Sequence, residues 1–271
     1  MKYLKFILFF ILGLVLGAAG LYFYLKNYSS GSNQTNQINL PEAKCSGIQV
    51  EDCPKLIVSN VPILMYHHID TSPPSSQADL YVSLDNFKEQ MSYMNQQGYS
   101  TTTLDKLFPE LEGKKFIITI DDGYKDAIEN ALPILKGFNF QATVFIITNN
   151  IGKGGYLTWD DIKILKNESW TIGSHTLSHP NLTNIKTTEA NKEIIQSKQI
   201  LELKLNTSID FFCYPAGKFN QETAEMVKNA GYKAAVTTQE GKTNIYSDIY
   251  QLKRIRVNGG ELLSKFIEKL Q

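Results

Sequence analysis

Two apolar patterns alternate along the chain. Short, continuous runs rich in β-branched and aromatic residues occupy 61–69, 116–120, 142–148, 170–174, 209–214, 234–238 and 252–257, which predicts buried strands. Between them, apolar residues recur at three- and four-residue spacing: Phe87, Met91 and Met94 within 84–97, and Ala190, Ile194 and Leu201 within 188–205. Further helices are predicted over 124–136, from Thr158 onward, over 221–230 and over 261–270. The punctuation agrees, with Ser83, Thr158 and Asn220 as N-caps, Gly98, Gly137 and Gly231 as stops and Pro133 as a kink. Asp160 and Asp161 follow Thr158 at a helix start, where acids meet the positive dipole end, and are read as structural rather than catalytic. Strands alternating with helices predict an α/β fold with a mostly parallel sheet, either a barrel or an open doubly wound sheet.

The first sixty residues follow neither pattern. After Lys2 and Lys5, residues 6–25 carry no charge, about the ~20 residues that cross a hydrocarbon core. An N-terminal transmembrane helix over 1–26 is therefore expected, with the amino terminus in the cytoplasm and the remainder outside. The small residues Gly17-Ala18-Ala19-Gly20 offer the alternative of a cleaved signal segment and a secreted protein. The apolar run continues past them, which favours a retained membrane anchor. Residues 27–60 are rich in Asn, Gln and Ser and read as a polar extracytoplasmic linker; residues 61–271 then form a single folded domain.

Composition narrows the function by exclusion. Twenty-seven basic residues balance twenty-seven acidic ones, so no overall field recruits nucleic acid, and no protein partner is inferred. The three cysteines contain no Cys-x-x-Cys pair, which argues against thiolate zinc sites and thioredoxin-like chemistry. Cys45 and Cys53 are free to pair in an oxidising compartment, leaving Cys213 as the odd one.

The polar residues that end the predicted strands are His67 and His68, Asp121 and Asp122, His175 and His179, and Tyr214-Pro215-Ala216-Gly217. In a parallel sheet such tips share one edge, so residues far apart in sequence converge there. The entire histidine complement lies at these tips. Asp121-Asp122-Gly123 alone is also a good turn sequence. The spacing of four between His175 and His179 predicts two imidazoles on one side of a helical turn, sharing a metal ion. Histidine with carboxylate suits Zn²⁺ or another divalent transition metal, and three protein ligands leave a position open. One of Asp121 and Asp122 is then the third ligand, and the other is free as a base.

These residues carry a family resemblance. Thr119-Ile120-Asp121-Asp122-Gly123 resembles the Thr-Phe-Asp-Asp-Gly motif of the polysaccharide deacetylases, the carbohydrate esterases with a NodB homology domain. His175-Thr176-Leu177-Ser178-His179-Pro180 resembles their second motif. The resemblance implies a distorted, incomplete (β/α) barrel, Asp121 as catalytic base, and Asp122, His175 and His179 as metal ligands. It implies an N-acetylhexosamine polysaccharide as substrate. Two departures stand out. Cys213-Tyr214-Pro215-Ala216 replaces Arg-Pro-Pro-Tyr, removing the arginine that steadies the base, and no histidine follows His179 to serve as general acid. Arg254 or Arg256 is the candidate replacement for the arginine. Leu64-Met65-Tyr66-His67-His68 resembles the start of the permuted branch that includes the poly-β-1,6-N-acetylglucosamine deacetylases, which implies His67 as the acid, with His68 second. Tyr214, Pro215 and Ala216 are expected beside the substrate, the Tyr214 amide holding the oxyanion. Tyr124, Trp159 and Tyr214 are candidates for stacking on sugar rings. The departures also leave room for a catalytically impaired carbohydrate-binding protein of the same fold.

Overall fold

Seven parallel strands pair in a closed ring in the computed structural model, which describes residues 60–71, 75–107, 113–244 and 246–271. The expected anchor and linker, with Cys45 and Cys53, lie outside the described residues. Among the described residues no helix is long and apolar enough to cross a membrane. In chain order the elements are β1 (Ile63–Tyr66), β2 (His68–Ile69), β3 (Tyr81–Val82), α1 (Leu84–Gln96), β4 (Tyr99–Thr101) and β5 (Lys114–Ile120). Then come α2 (Leu132–Gly137), β6 (Thr143–Ile146), α3 (Trp159–Asn167), β7 (Thr171–Ser174), α4 (Thr187–Leu205) and β8 (Phe211–Cys213). The chain ends with α5 (Gln221–Asn229), β9 (Ala234–Glu240), β10 (Leu252–Arg256) and α6 (Leu263–Leu270).

The ring closes because β1 pairs on both sides. Ile63 is in register with Ile117 of β5, and Leu64 with Ile255 of β10. The order continues β5, β6, β7, β8, β9, β10, every pairing parallel. The result is one strand short of the eight of a complete (β/α) barrel. β4 adds to the first residues of β5, and a register shift between β9 and β10 distorts the ring. The open doubly wound alternative is thereby excluded.

Strand parity explains where each side chain goes, because successive residues of a strand face opposite sides. On β5, Phe116, Ile118 and Ile120 join the core against the helices, whereas Ile117 belongs to a second, smaller cluster with Ile63, Phe145, Phe211, Cys213, Val236 and Leu252 that fills the ring. Gly173 of β7 makes room inside: a Cβ there would lie 2.5 Å from the ring of Phe145. On β1 the same parity sends Leu64 and Tyr66 toward the helices and Ile63 into the ring.

Most caps form as the sequence predicts. The Ser83 side chain accepts from the Asn86 N–H, Thr158 and Asp161 make a capping box, and Asn220 accepts from the Thr223 N–H. Two predicted elements change. The run 61–69 breaks at His67, because β2 leaves the ring to pair with β3. The helix predicted over 124–136 begins later, with a π-turn at Ala127–Ala131 that hands over to α2 just before Pro133. A π-turn leaves backbone positions that need not donate in the usual ladder, which accommodates the missing proline N–H.

Candidate functional site

The site forms where β1, β5, β7, β8 and β10 end. Asp121 follows β5 with the inward parity of Ile117 and Thr119, and its backbone N–H donates to Tyr66 O at 2.9 Å. Its carboxylate is buried and met by Arg254 from β10: Nη1 donates to Oδ1 at 2.8 Å and Nη2 to Oδ2 at 2.7 Å. The guanidinium is itself fully buried. Its remaining N–H groups go to Thr237 O at 2.8 Å, Thr119 Oγ1 at 2.9 Å and Cys213 Sγ at 3.3 Å. Burial alone would raise the Asp121 pKa, but the charge and hydrogen bonds of Arg254 outweigh it and hold the carboxyl well below the usual range. Asp121 is thus a fixed carboxylate with one face toward the mouth of the ring.

Asp122 turns the other way. It has φ 73°, and Gly123 has φ 77°, two left-handed residues in succession as an Asp-Gly turn favours. The turn chemistry is therefore real, but it serves to aim the second carboxylate rather than to build a hairpin. Asp122 Oδ1 lies 3.4 Å from His175 Nε2 and 3.7 Å from His179 Nε2. The three ligand atoms lie within 4.8 Å of one another.

This donor set fits a metal ion. Ligand atoms at bonds of ~2.0–2.2 Å in tetrahedral geometry are separated by about 3.4 Å. The orientation of His175 fits as well. Its Nδ1 lies 2.7 Å from Cys213 O, and a carbonyl only accepts, so Nδ1 carries a proton and Nε2 is the atom turned toward Asp122 and His179. Such a partner behind the imidazole fixes tautomer and angle in metal sites. The two histidines are not on a helical turn, as their spacing predicted. They belong to a loop in which Thr176 (φ 66°) and His179 (φ 63°) are both left-handed, and this doubling back brings the rings to a centroid separation of 4.7 Å.

His67 and His68 part company. His67 Nε2 lies 3.9 Å from Asp121 Oδ2. Burial lowers its pKa, opposed by Asp121 and Asp122 and assisted by Arg254 and Arg256. His68 points outside the ring, its Nδ1–H donating to Asp126 Oδ2 at 2.5 Å and its ring stacked between Tyr81 and Tyr124. His68 is accordingly not an alternative to His67. Arg256 likewise does not orient Asp121; the structure gives that contact to Arg254, one pleat deeper, while the Arg256 backbone N–H donates to Glu240 at 3.3 Å.

The Tyr214-Pro215-Ala216 segment corrects another expectation. The Tyr214 N–H donates to Val236 O at 3.2 Å in the barrel ladder, so it is not free to hold an oxyanion. Proline has no N–H, which leaves the Ala216 amide as the donor of the triplet. Ala216 (φ 50°) and Gly217 (φ 67°) are both left-handed, and a Cβ on Gly217 would lie 1.9 Å from Thr238 Oγ1. The Tyr214 side chain faces the helix layer, packed on Phe219 and Phe212, and is no sugar platform. Trp159 opens α3 and packs against the same core. Tyr124 spends both faces, one on His68 and one on Tyr156.

Sequence reasoning missed Cys213, whose thiol lies 3.5 Å from Asp121 Oδ2. Its signal was present, since it occupies the place of the missing arginine and shares the inward parity of Phe211.

Comparisons with known proteins agree with this geometry. A family model described as polysaccharide deacetylase matches residues 109–235, a span holding Asp121, Asp122, His175, His179 and Ala216 but neither His67 nor Arg254. The Bacillus subtilis (strain 168) protein YxkH, named for polysaccharide deacetylation, is 32% identical over 214 residues, covering 77% of this chain and 75% of that protein. The poly-beta-1,6-N-acetyl-D-glucosamine N-deacetylase of Staphylococcus aureus (strain MRSA252) is 28% identical over 196 residues, covering 65% of this chain and 68% of that one. Among solved structures, the Streptococcus pyogenes deacetylase PplD in complex with acetate superposes with a TM-score of 0.74 at 29% identity, over 79% of this chain and 99% of that chain. The motifs, the closed parallel ring and these relatives together place the chain in the polysaccharide deacetylase family.

Proposed function

We propose that this chain removes N-acetyl groups from an N-acetylglucosamine-containing extracellular or cell-wall polysaccharide, using a divalent metal ion held by Asp122, His175 and His179. One observation carries the reading: a buried carboxylate, Asp121, is fixed by Arg254 beside a separate ligand cluster, with His67 facing it at 3.9 Å. That is a division of labour between base, ligands and acid. The Staphylococcus aureus relative, named for the same linkage chemistry, supports the substrate class.

Hydrolysis of an amide needs an activated water, a stabilised oxyanion and a proton for the departing nitrogen. Bound at the cluster, Zn²⁺ or a similar ion supplies Lewis acidity, lowering the pKa of a water and polarising the amide carbonyl. Asp121 accepts the water proton, Arg254 keeping its two oxygens in place. The Ala216 N–H, the amide of the triplet that the strand ladder does not use, would hold the developing oxyanion. His67 hands a proton to nitrogen, and its lowered pKa makes the protonated ring a stronger acid. The arginine absent from the Cys213 position is thus replaced from across the ring, which favours an enzyme over a binding protein. We further propose that the domain acts outside the cytoplasm, on the strength of the uncharged run at residues 6–25.

The test is acetate release from poly-β-1,6-N-acetylglucosamine, peptidoglycan and chitin oligomers by the metal-loaded protein, with Asp121→Asn as control. Release from one polymer that is absent in the control is the expected result. Metal uptake with no acetate from any of the three would sink the assignment.

A further inference from the structure

His179 is the ligand of the cluster least held by the barrel. His175 directly follows β7: its N–H donates to Ile146 O at 2.9 Å and its ring to Cys213 O at 2.7 Å. Its side chain is 3% exposed, against 35% for His179. The loop between them is held within itself by the His179 N–H, which donates to Thr176 Oγ1 at 2.9 Å, and is pinned to the rest of the fold in two places. Its first half is tied to the end of β6, where Thr148 N–H and Asn149 N–H donate to Thr176 O and Leu177 O at 3.1 and 2.8 Å. Its second half is tied to α4, where Glu193 takes both donors of Ser178: Oε2 accepts the N–H at 2.8 Å and Oε1 accepts the hydroxyl at 2.7 Å.

Glu193 is well placed to act as an anchor. It lies in α4 between Ala190 and Ile194, both buried in the core, so the far end of the clamp is rigid. The loop it holds contains two left-handed, non-glycine residues, Thr176 and His179. Such a conformation persists only where surrounding contacts over-determine it. Freed of Glu193, Ser178 loses its tie on both backbone and side chain, and His179 immediately follows it.

We propose that Glu193 is a positioning residue for the metal centre, gripping Ser178 so that the half-buried ligand His179 stays within reach of Asp122 and His175. The proposal rests on reading Asp122, His175 and His179 as a metal centre. Glu193 touches neither ligand nor substrate and acts entirely through Ser178. What it supplies is a paired hydrogen bond rather than a charge. Glutamine can reproduce the pair, its carbonyl accepting the Ser178 N–H and its amide N–H donating to the Ser178 hydroxyl oxygen.

The full chain, stripped of metal, is titrated with Co²⁺ and followed by its visible absorption, with Zn²⁺ affinity from chelator competition. Glu193→Ala is expected to weaken affinity by about 10-fold or more, in the range found for residues that support metal ligands, and Glu193→Gln to restore most of it. Ser178→Ala with Glu193→Ala should bind no more weakly than Glu193→Ala alone, because Glu193→Ala already removes the hydroxyl bond that Ser178→Ala breaks. Unchanged affinity in Glu193→Ala, losses that add in the double variant, or no rescue by glutamine would each overturn the clamp while leaving the metal centre standing. Wild-type protein that takes up neither ion would overturn the metal reading and the clamp with it.

Discussion

Arg254 and Asp121 meet inside the barrel through two parallel hydrogen bonds of 2.8 and 2.7 Å, and the other N–H groups of the same guanidinium end on Thr119, Thr237 and Cys213. Lysine cannot reproduce that fork. Arg254→Lys is expected to keep the fold and lower kcat on the order of 10²-fold, because the base loses its fixed orientation. Arg254→Met strands a buried carboxylate and should cost about 3–5 kcal/mol of stability. Urea unfolding and acetate-release kinetics check both. A lysine variant with wild-type kcat would remove Arg254 from the machinery.

The same pair gives stability a pH dependence of known sign. Asp121 is held below its unfolded value, so its contribution is complete above the ordinary aspartate pKa of about 3.9 and is lost as pH falls below it toward the depressed value. Melting temperature should therefore fall below about pH 4 more steeply in the wild type than in Asp121→Asn, where the titrating group is gone. Parallel acid limbs in the two proteins would show that other carboxylates control acid unfolding.

The proposed duties of the neighbours Asp121 and Asp122 differ, so their asparagine variants should differ as well. Asp122→Asn is expected to weaken metal binding, since it removes the carboxylate facing both imidazoles. Asp121→Asn should leave the metal bound and turnover reduced by about 10²–10⁴-fold, as for loss of a general base. Metal content and acetate release measured on the same preparations decide the matter. Equal metal loss in both variants contradicts the division.

His67 and His68 invite the same comparison. His67→Ala should lower kcat by about 10²–10⁴-fold. In the proposed role the protonated ring is the active form, and burial lowers its pKa, so the alkaline fall of kcat/KM should have its midpoint below the ordinary ~6.5 and vanish in this variant. His68→Ala should instead lower the melting temperature, having lost Asp126 and the stack with Tyr81 and Tyr124, and keep the wild-type pH profile. An unaltered alkaline limb in His67→Ala would exclude it as the acid.

The fold was largely legible because alternating strands and helices constrain the topology tightly, and strand ends announce themselves by a change from apolar to polar residues. Closure of the ring was carried by the family resemblance, since no periodicity states that β1 will pair with both β5 and β10. The choice between His67 and His68 was in fact available: inward parity through Ile63 and Met65 selects His67, while His68 shares the outward parity of Leu64 and Tyr66. Parity could not choose between Arg254 and Arg256, which lie two apart. Depth along the strand decided that, and depth depends on the register with β9. The helical turn read from His175 and His179 failed because spacing alone does not distinguish a helix from a loop with two left-handed residues.

The double pairing of β1 also ties the setting of Asp121 to the closure of the ring. Arg254 belongs to the last strand of the ring, β10, and β10 is seated against the first, β1, at Leu64 and Ile255. A fragment ending before β10 would therefore contain every candidate metal ligand and still lack a settled base. The strand that closes the ring is thus the strand that fixes the Asp121 carboxylate.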